Sequence, residues 1–408
     1  MTPPTSSPGL AAAPRSPLQA WFAVLSVALG AFVIVTSEFL PIGLLTHIAS
    51  GLHVSDGTAG LMISIPGMVA AIAAPVMTIA AGRVDRRILV LALIGLLIVS
   101  NVTAALAPNF AVMLLGRVMF GISLGGFWTI AVTLGGRLVP KESMARATTI
   151  ILAGISIATV AGVPSGTLIA SLVGWRVTFG VVAGVALLVG LVQLFVLPTL
   201  PAPPAPGIRQ LTHLLRHSDA RLGLLTVAFA IAGHFAAYTY VTPFLKENPD
   251  ITPGFLSSLL LAYGVAGIVG NFVGGAAAAR NLRSTVIVVI ALLAGTILLL
   301  PFVHQSQVGV ATLLIGWGLA FGAVPIALQL WVFKAAPEAL EGGAALLVST
   351  FQVFIALGSV LGGQVVDAFG TSAVMWGAGG TSLAALVVVV LSRRVPQMET
   401  SEAQVHLA

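Results

Sequence analysis

Long apolar runs broken by short polar stretches set the pattern of this 408-residue chain. They fall at about 22–45, 57–80, 88–107, 111–136, 147–170 and 177–197, and again at about 222–245, 255–279, 284–303, 308–333, 342–368 and 371–392. Each run has roughly the 20 residues that a helix rising ~1.5 Å per residue needs to cross a bilayer. Between the two sets lies a polar, proline-rich break, PTLPAPPAPGIRQLTHLLRHSDAR, at 198–221. The pattern predicts an all-α integral membrane protein of twelve transmembrane helices, numbered here in chain order. It divides into two six-helix halves, 21–197 and 222–392, joined by the linker 198–221. Residues 1–20, rich in Pro, Ser and Ala, read as a disordered tail, and 393–408 as a second tail. A signal peptide is the competing reading for the first run, which follows Arg15. That run is too long for a signal core and lacks a small-residue cleavage site, so it is kept as helix 1.

Composition agrees with the pattern. The chain is 58% hydrophobic and 7% charged, where soluble domains run near ~25% charged. Cysteine is absent, which excludes disulfides, thiol catalysis and cysteine-ligated metal. No phosphate-binding Gly-Lys-Ser/Thr loop is present, so nothing here hydrolyses ATP, and no cofactor is implied. Gly121-Ile122-Ser123-Leu124-Gly125 fits a nucleophile elbow but lies inside a helix with no strand before it. Asn101-Val102-Thr103 fits a glycosylation acceptor yet falls within helix 3.

The net charge of +6 is a topology signal rather than a nucleic-acid footprint. With both termini placed in the cytoplasm, only Arg176 and Lys246 of the 18 basic residues fall outside, and Arg117 lies within helix 4. Such a bias over short loops is the positive-inside pattern.

The halves read as a diverged repeat. Ser37-Glu38-Phe39-Leu40-Pro41 ends helix 1 as Thr239-Tyr240-Val241-Thr242-Pro243 ends helix 7. Leu115-Gly116-Arg117 corresponds to Ile315-Gly316-Trp317, and the Gly162–Gly166 string to Gly358–Gly362. Paired six-helix halves with a site between them are a transporter architecture.

One acid sits inside the first run. A carboxylate there costs ~2.5–3.5 kcal/mol on insertion scales and marks a functional site by default. Glu38 therefore reads as a proton carrier. Arg117 lies at a matching depth on helix 4, roughly 10 Å below the outer boundary by helical rise. The two can offset each other's desolvation, and moving Arg117 relative to Glu38 as the halves rock would change proton affinity. A permanent salt bridge that only fixes packing is the alternative. Asp367, at the outer end of helix 11, reads as an interfacial residue.

At this point the chain resembles the major facilitator superfamily, in its twelve-helix drug:proton antiporter branch. Arg117-x-x-x-Gly121 with Gly125-Gly126 resembles that superfamily's helix 4 motif, and Gly162-x-Pro164-x-Gly166 the antiporter motif of helix 5. Gly82-Arg83-Val84-Asp85-Arg86-Arg87 resembles its helix 2–3 loop in shortened form, with Gly82 near where an Asp is usual. Glu38-Phe39-Leu40-Pro41, Gly125-Gly126-Phe127-Trp128, Gly174-Trp175-Arg176 and the helix 7 string His234–Tyr240 look most like bacterial purine ribonucleoside exporters, then sugar and arabinose exporters.

The resemblance implies a proton-coupled efflux antiporter, not an enzyme, in a bacterial cytoplasmic membrane. Its partners would be a small-molecule substrate, protons and the lipid bilayer, with no nucleic acid, and the chain would act as a monomer. It also implies that helices 5, 8 and 11 slide at the seam between halves. Gly121, Gly162, Gly166, Gly358 and Gly362 would allow close approach, Pro164 would kink helix 5, and Arg83, Asp85, Arg86 and Arg87 would serve the conformational change. Candidate cargo contacts in the cavity are Phe127, Trp128, His234, Tyr238, Tyr240, Trp317 and Gln352. Their rings would stack on a purine, and His234 or Gln352 would bond its edge or the ribose. Each also has a plain reading as a packed or interfacial residue. A drug or sugar exporter, an uncoupled facilitator, and a channel or sensor stay open as alternatives.

Overall fold

The computed structural model describes residues 17–80, 84–140, 143–201, 218–335 and 340–392. These form helices and no strands. Among the described residues, twelve spans are long and apolar enough to cross a membrane. The first half holds α1 (Leu18–Leu52), α2 (Asp56–Ala74), α3 (Arg86–Ala105), α4 (Phe110–Ala131), α5 (Thr149–Val173) and α6 (Trp175–Val196). The second holds α7 (Ser218–Lys246), α8 (Pro253–Arg280), α9 (Leu282–Val303), α10 (Gln307–Ala335), α11 (Leu346–Phe369) and α12 (Thr371–Leu391). Large apolar side chains such as Phe195, Phe272 and Phe302 are exposed on the outside, where lipid rather than water is their solvent.

Local sequence explains where the spans begin. Asp85 accepts a hydrogen bond from the Arg87 amide at 2.8 Å, and Asn109 from Val112 at 3.0 Å, capping α3 and α4. Thr252 and Asn281 do the same for α8 and α9. Gly174 and Gly370, at φ 89° and 85°, make the sharp turns into α6 and α12, a left-handed conformation that favours glycine.

Packing repeats between the halves. α2 lies along α4 as α8 lies along α10; α3 packs on α4 and α6 as α9 packs on α10 and α12. α1 contacts α5 and α6 as α7 contacts α11 and α12. Across the seam α2 meets α11, α5 meets α8, and α1 meets the end of α7.

Call the face carrying the start of α1 the termini face, and the other the distal face. Hydrogen bonds cross the seam on the distal side of Glu38. Lys246 Nζ donates to Thr46 Oγ1 at 2.7 Å, Ser359 Oγ to the Gly60 carbonyl at 3.1 Å, and Ser55 Oγ to Asp367 at 2.6 Å. The seam is therefore sealed distally.

The glycine rows do something other than expected. A β-carbon on Gly162 would meet Thr36, and one on Gly166 would meet Leu40, both on α1 of the same half. Gly358 and Gly362 face Ala232, Ala236 and Tyr240 of α7, and Gly121 faces Pro66 and Val69 of α2. These glycines bind each half together rather than lining the seam. At the seam, helices 5 and 8 meet through Gly264, whose β-carbon would stand 2.9 Å from the Thr159 carbonyl. Thr159 lies in a π-helical turn, Ala158–Gly162, just before Pro164. Proline has no N–H to continue the α ladder, and the Val163 amide bonds back to Ala158 instead.

Candidate functional site

Glu38 is buried, 8% exposed, in α1. Three residues on, Pro41 interrupts the backbone ladder. A proline four residues after a carbonyl leaves that carbonyl without its helical donor. Pro41 does this to Ser37, and Pro66 does it to Met62 of α2.

Arg117 of α4 fills both gaps. Its Nη1 donates to the Ser37 carbonyl at 3.1 Å and its Nε to the Met62 carbonyl at 2.7 Å. The guanidinium carbon lies 4.4 Å from the Phe120 ring centre, and Nη2 is buried without a partner. Arg117 is 1% exposed and ties three helices of one half together. It bonds the backbone one residue before Glu38 along α1 rather than the Glu38 carboxyl. The expectation that Arg117 moves against Glu38 is corrected by this geometry, because both belong to the same half and share a backbone contact. Ser37 is fixed further by Asn101 of α3, whose Nδ2 donates to Ser37 Oγ at 3.1 Å.

The partner that crosses the seam is Gln352. Its side chain lies near the Glu38 carboxyl from α11. Gln352 is 7% exposed, and its carbonyl lies 3.0 Å from where a β-carbon on Gly67 of α2 would stand. Beside this contact Phe39 stacks on Phe235 of α7, ring centres 5.8 Å apart. So α1 presents adjacent residues to α11 and α7 of the other half.

Behind Phe235 stands an aromatic stack. Phe321, His234, Tyr238 and Tyr263 lie nearly parallel in sequence, with centre-to-centre steps of 3.4, 5.2 and 4.9 Å. Trp317 meets His234, Tyr238 and Tyr263 edge-on, and its Nε1 donates to His234 Nδ1 at 3.0 Å. That bond places the imidazole proton on Nε2, which is buried without a partner, as is the Tyr263 hydroxyl. Trp317 occupies the repeat position of Arg117 and likewise joins the fourth helix of its half to the first.

Of the expected cargo contacts, His234, Tyr238 and Trp317 come together, and Gln352 joins Glu38. Phe127 is fully buried, 3.4 Å from a β-carbon position on Gly30 of α1, with partly buried Trp128 edge-on at 5.9 Å. Tyr240 is a distal-seam residue whose hydroxyl donates to the Ser359 carbonyl at 2.8 Å. In the helix 2–3 loop, Asp85 accepts from the Leu200 amide at 2.9 Å while the Arg86 amide donates to the Leu200 carbonyl at 2.8 Å. Arg87 donates to the Leu194 carbonyl at 2.6 Å. This loop thus clasps the chain leaving α6; Arg83 lies outside the described residues. The sequence reading missed Phe39, Phe235, Tyr263 and Phe321. Tyr263 is one of three tyrosines in the chain, and Phe39 and Phe235 sit within motifs already noted, which were the available signals.

Comparison with known proteins followed the same lines. A family profile described as Major Facilitator Superfamily matches residues 27–352. "Transcription regulatory protein OpdE" of Pseudomonas aeruginosa is 34% identical over 92% of this chain and 94% of its own length. A bacterial homologue of the human lysosomal transporter Spinster, solved inward-facing and unoccupied, superposes with TM-score 0.76 at 17% identity, covering 92% of this chain and 96% of that one. The nucleoside transporter NupG (D323A mutant) superposes with TM-score 0.77 at 14% identity, covering 92% and 100%. At those identities the structures speak for the fold alone.

Proposed function

Because the chain belongs to the Major Facilitator Superfamily, we propose that this membrane transporter is a proton-coupled antiporter of the drug:proton branch, exporting a small organic metabolite by alternating access. The observation that carries the reading is a buried carboxyl, Glu38, placed near the buried Gln352 of the opposite half. A hydrogen bond to a charged group contributes ~1.5–3 kcal/mol, and one between neutral groups ~0.5–1.5. A bond from Gln352 to the charged carboxyl would weaken by about 1–2 kcal/mol when Glu38 takes a proton, roughly tenfold in a conformational equilibrium.

The termini face, with its excess of Arg and Lys, is the cytoplasmic face of a bacterial inner membrane. The distally sealed arrangement is then the inward-open state. Glu38 releases its proton toward the cytoplasm there and cargo enters; outward opening discharges cargo and returns a proton. Arg117 keeps α1, α2 and α4 in place around Glu38 while Gln352 moves with the other half. The chain works as a monomer, with both termini cytoplasmic and 198–221 as the connecting linker.

The preferred cargo is a purine ribonucleoside. What supports this is the ring stack of Phe321, His234, Tyr238 and Tyr263 beside Phe39, where a flat base adds to existing stacking. His234 Nε2 and the Tyr263 hydroxyl, buried and unpartnered, supply polar groups for it. A sugar or small drug is the alternative cargo. The test is a panel of labelled nucleosides, sugars and drugs offered to inverted vesicles under an imposed pH gradient. Gradient-driven uptake of one class in the wild type, abolished in Glu38→Gln, is expected. Transport that ignores the gradient makes the chain an uncoupled facilitator.

The name of OpdE gives a second reading some weight: a membrane protein of this fold that regulates transcription. Ligand binding without vesicle flux for any class in the panel decides for it.

A further inference from the structure

The distal seam holds an acid that the proton cycle does not use. Asp367, at the end of α11, sends its carboxylate across to the first turn of α2. Oδ2 accepts from Ser55 Oγ at 2.6 Å and Oδ1 from the Gly57 amide at 2.9 Å. One turn back along α11, a β-carbon on Gly363 would stand 2.7 Å from the Gly57 carbonyl. Two turns back, Ser359 donates to the Gly60 carbonyl at 3.1 Å, and its own carbonyl receives the Tyr240 hydroxyl at 2.8 Å. Residues 359, 363 and 367 share one face of a helix at i, i+4 and i+8. The opposing strip of α2 is bare: a β-carbon on Gly57 would strike the Gly363 carbonyl and the Asp367 carboxyl, and one on Gly60 would strike the Tyr240 hydroxyl.

We infer that Asp367 is the latch of the distal gate, a positioning residue whose bonds to Ser55 and Gly57 hold the transporter closed on that face. Amides in the first turn of a helix have no intrahelical acceptor, so a carboxylate serves them well, and it does so here from the other half. The latch is built to release. Asp367 sits at the solvent-exposed rim, so water replaces its two donors when the halves part, and little desolvation opposes opening or closing. Tyr240 and Ser359, both buried, add the contacts that water does not reach. The role is independent of which cargo is carried and of what drives it, so it stands or falls apart from the proposed antiport.

Two spin-label pairs in the full-length protein in nanodiscs test it. The chain has no cysteine, so paired cysteines need no background removed. Ala111→Cys with Val308→Cys reports the distal face, and Pro140→Cys with Arg280→Cys the termini face; all four positions are exposed. Asp367→Ala should raise the ratio of distal-open to distal-closed molecules three- to tenfold, with the termini pair shortening in step. Gly57→Ala, which blocks the approach of α2 to α11, should shift both pairs the same way, and Asp367→Glu should restore most of the closed population. Distance distributions unchanged within twofold in Asp367→Ala and Gly57→Ala alike would overturn the assignment. So would a wider distal pair with no answering change at the termini face, since that is local fraying rather than gating.

Discussion

Arg117→Leu should cost this protein more stability than almost any other single change, and two prolines say how much. The substitution removes the side-chain donors to the carbonyls of Ser37 and Met62, which Pro41 and Pro66 deny their usual helical partners. A buried acceptor left unsatisfied costs ~1–3 kcal/mol, so the pair amounts to ~2–6 kcal/mol. Arg117→Lys should recover only part of that, because an ammonium cannot span both carbonyls as the guanidinium fork does. The sharper test is a cycle with the prolines. Pro41→Ala restores an amide able to bond the Ser37 carbonyl, so in the Arg117→Leu background it should return ~1–3 kcal/mol, and in the wild type it should give little or destabilise. The assay is thermal unfolding followed by intrinsic fluorescence of the six tryptophans, since there is no thiol to label. Additive effects, with Pro41→Ala changing both backgrounds equally, would refute the claim that Arg117 serves the proline-freed carbonyls.

Three further outcomes follow from particular contacts. Gly162→Leu should lower the yield and melting temperature of the purified protein, because the new side chain meets Thr36 within the same half; normal stability with blocked turnover would return Gly162 to the seam. Trp317→Phe keeps the edge-on ring but strips His234 Nδ1 of its donor, so it should cost ~0.5–1.5 kcal/mol in unfolding, and no change would mean that the bond contributes nothing. Asp85→Ala should free the Leu200 amide and speed limited proteolysis around Leu200 several-fold over the wild type, and unaltered cleavage would argue against the clasp.

Much of this architecture is written in one dimension. Span lengths are legible because bilayer thickness fixes them, and the two-half repeat because Pro41 and Pro243, or Arg117 and Trp317, recur at matching places. Glu38 stands out because a lone acid in an apolar run is costly. Depth along a helix can be counted from residues, which is why Arg117 was matched to Glu38. The direction a side chain points around the helix axis cannot be counted that way. That missing angle explains the differences: Arg117 turns to carbonyls beside Glu38, Gln352 lies near it, and the Tyr240 hydroxyl turns to the Ser359 carbonyl at the distal seam. It also explains why the glycine rows were assigned to the seam when they face their own half. The Arg117 contacts were nonetheless foreshadowed, since Pro41 and Pro66 each follow an acceptor by four residues.

The central claim, that Glu38 exchanges a proton once per cycle of cargo, is tested most directly by proton counterflow. Purified protein is placed in liposomes carrying a pH-sensitive dye inside, and an outward cargo gradient is imposed without any pH difference. The account predicts that wild-type vesicles acidify as cargo leaves, and that Glu38→Gln vesicles exchange cargo with no change in dye signal. Equal acidification by Glu38→Gln, or cargo efflux from the wild type with no acidification at all, would contradict it.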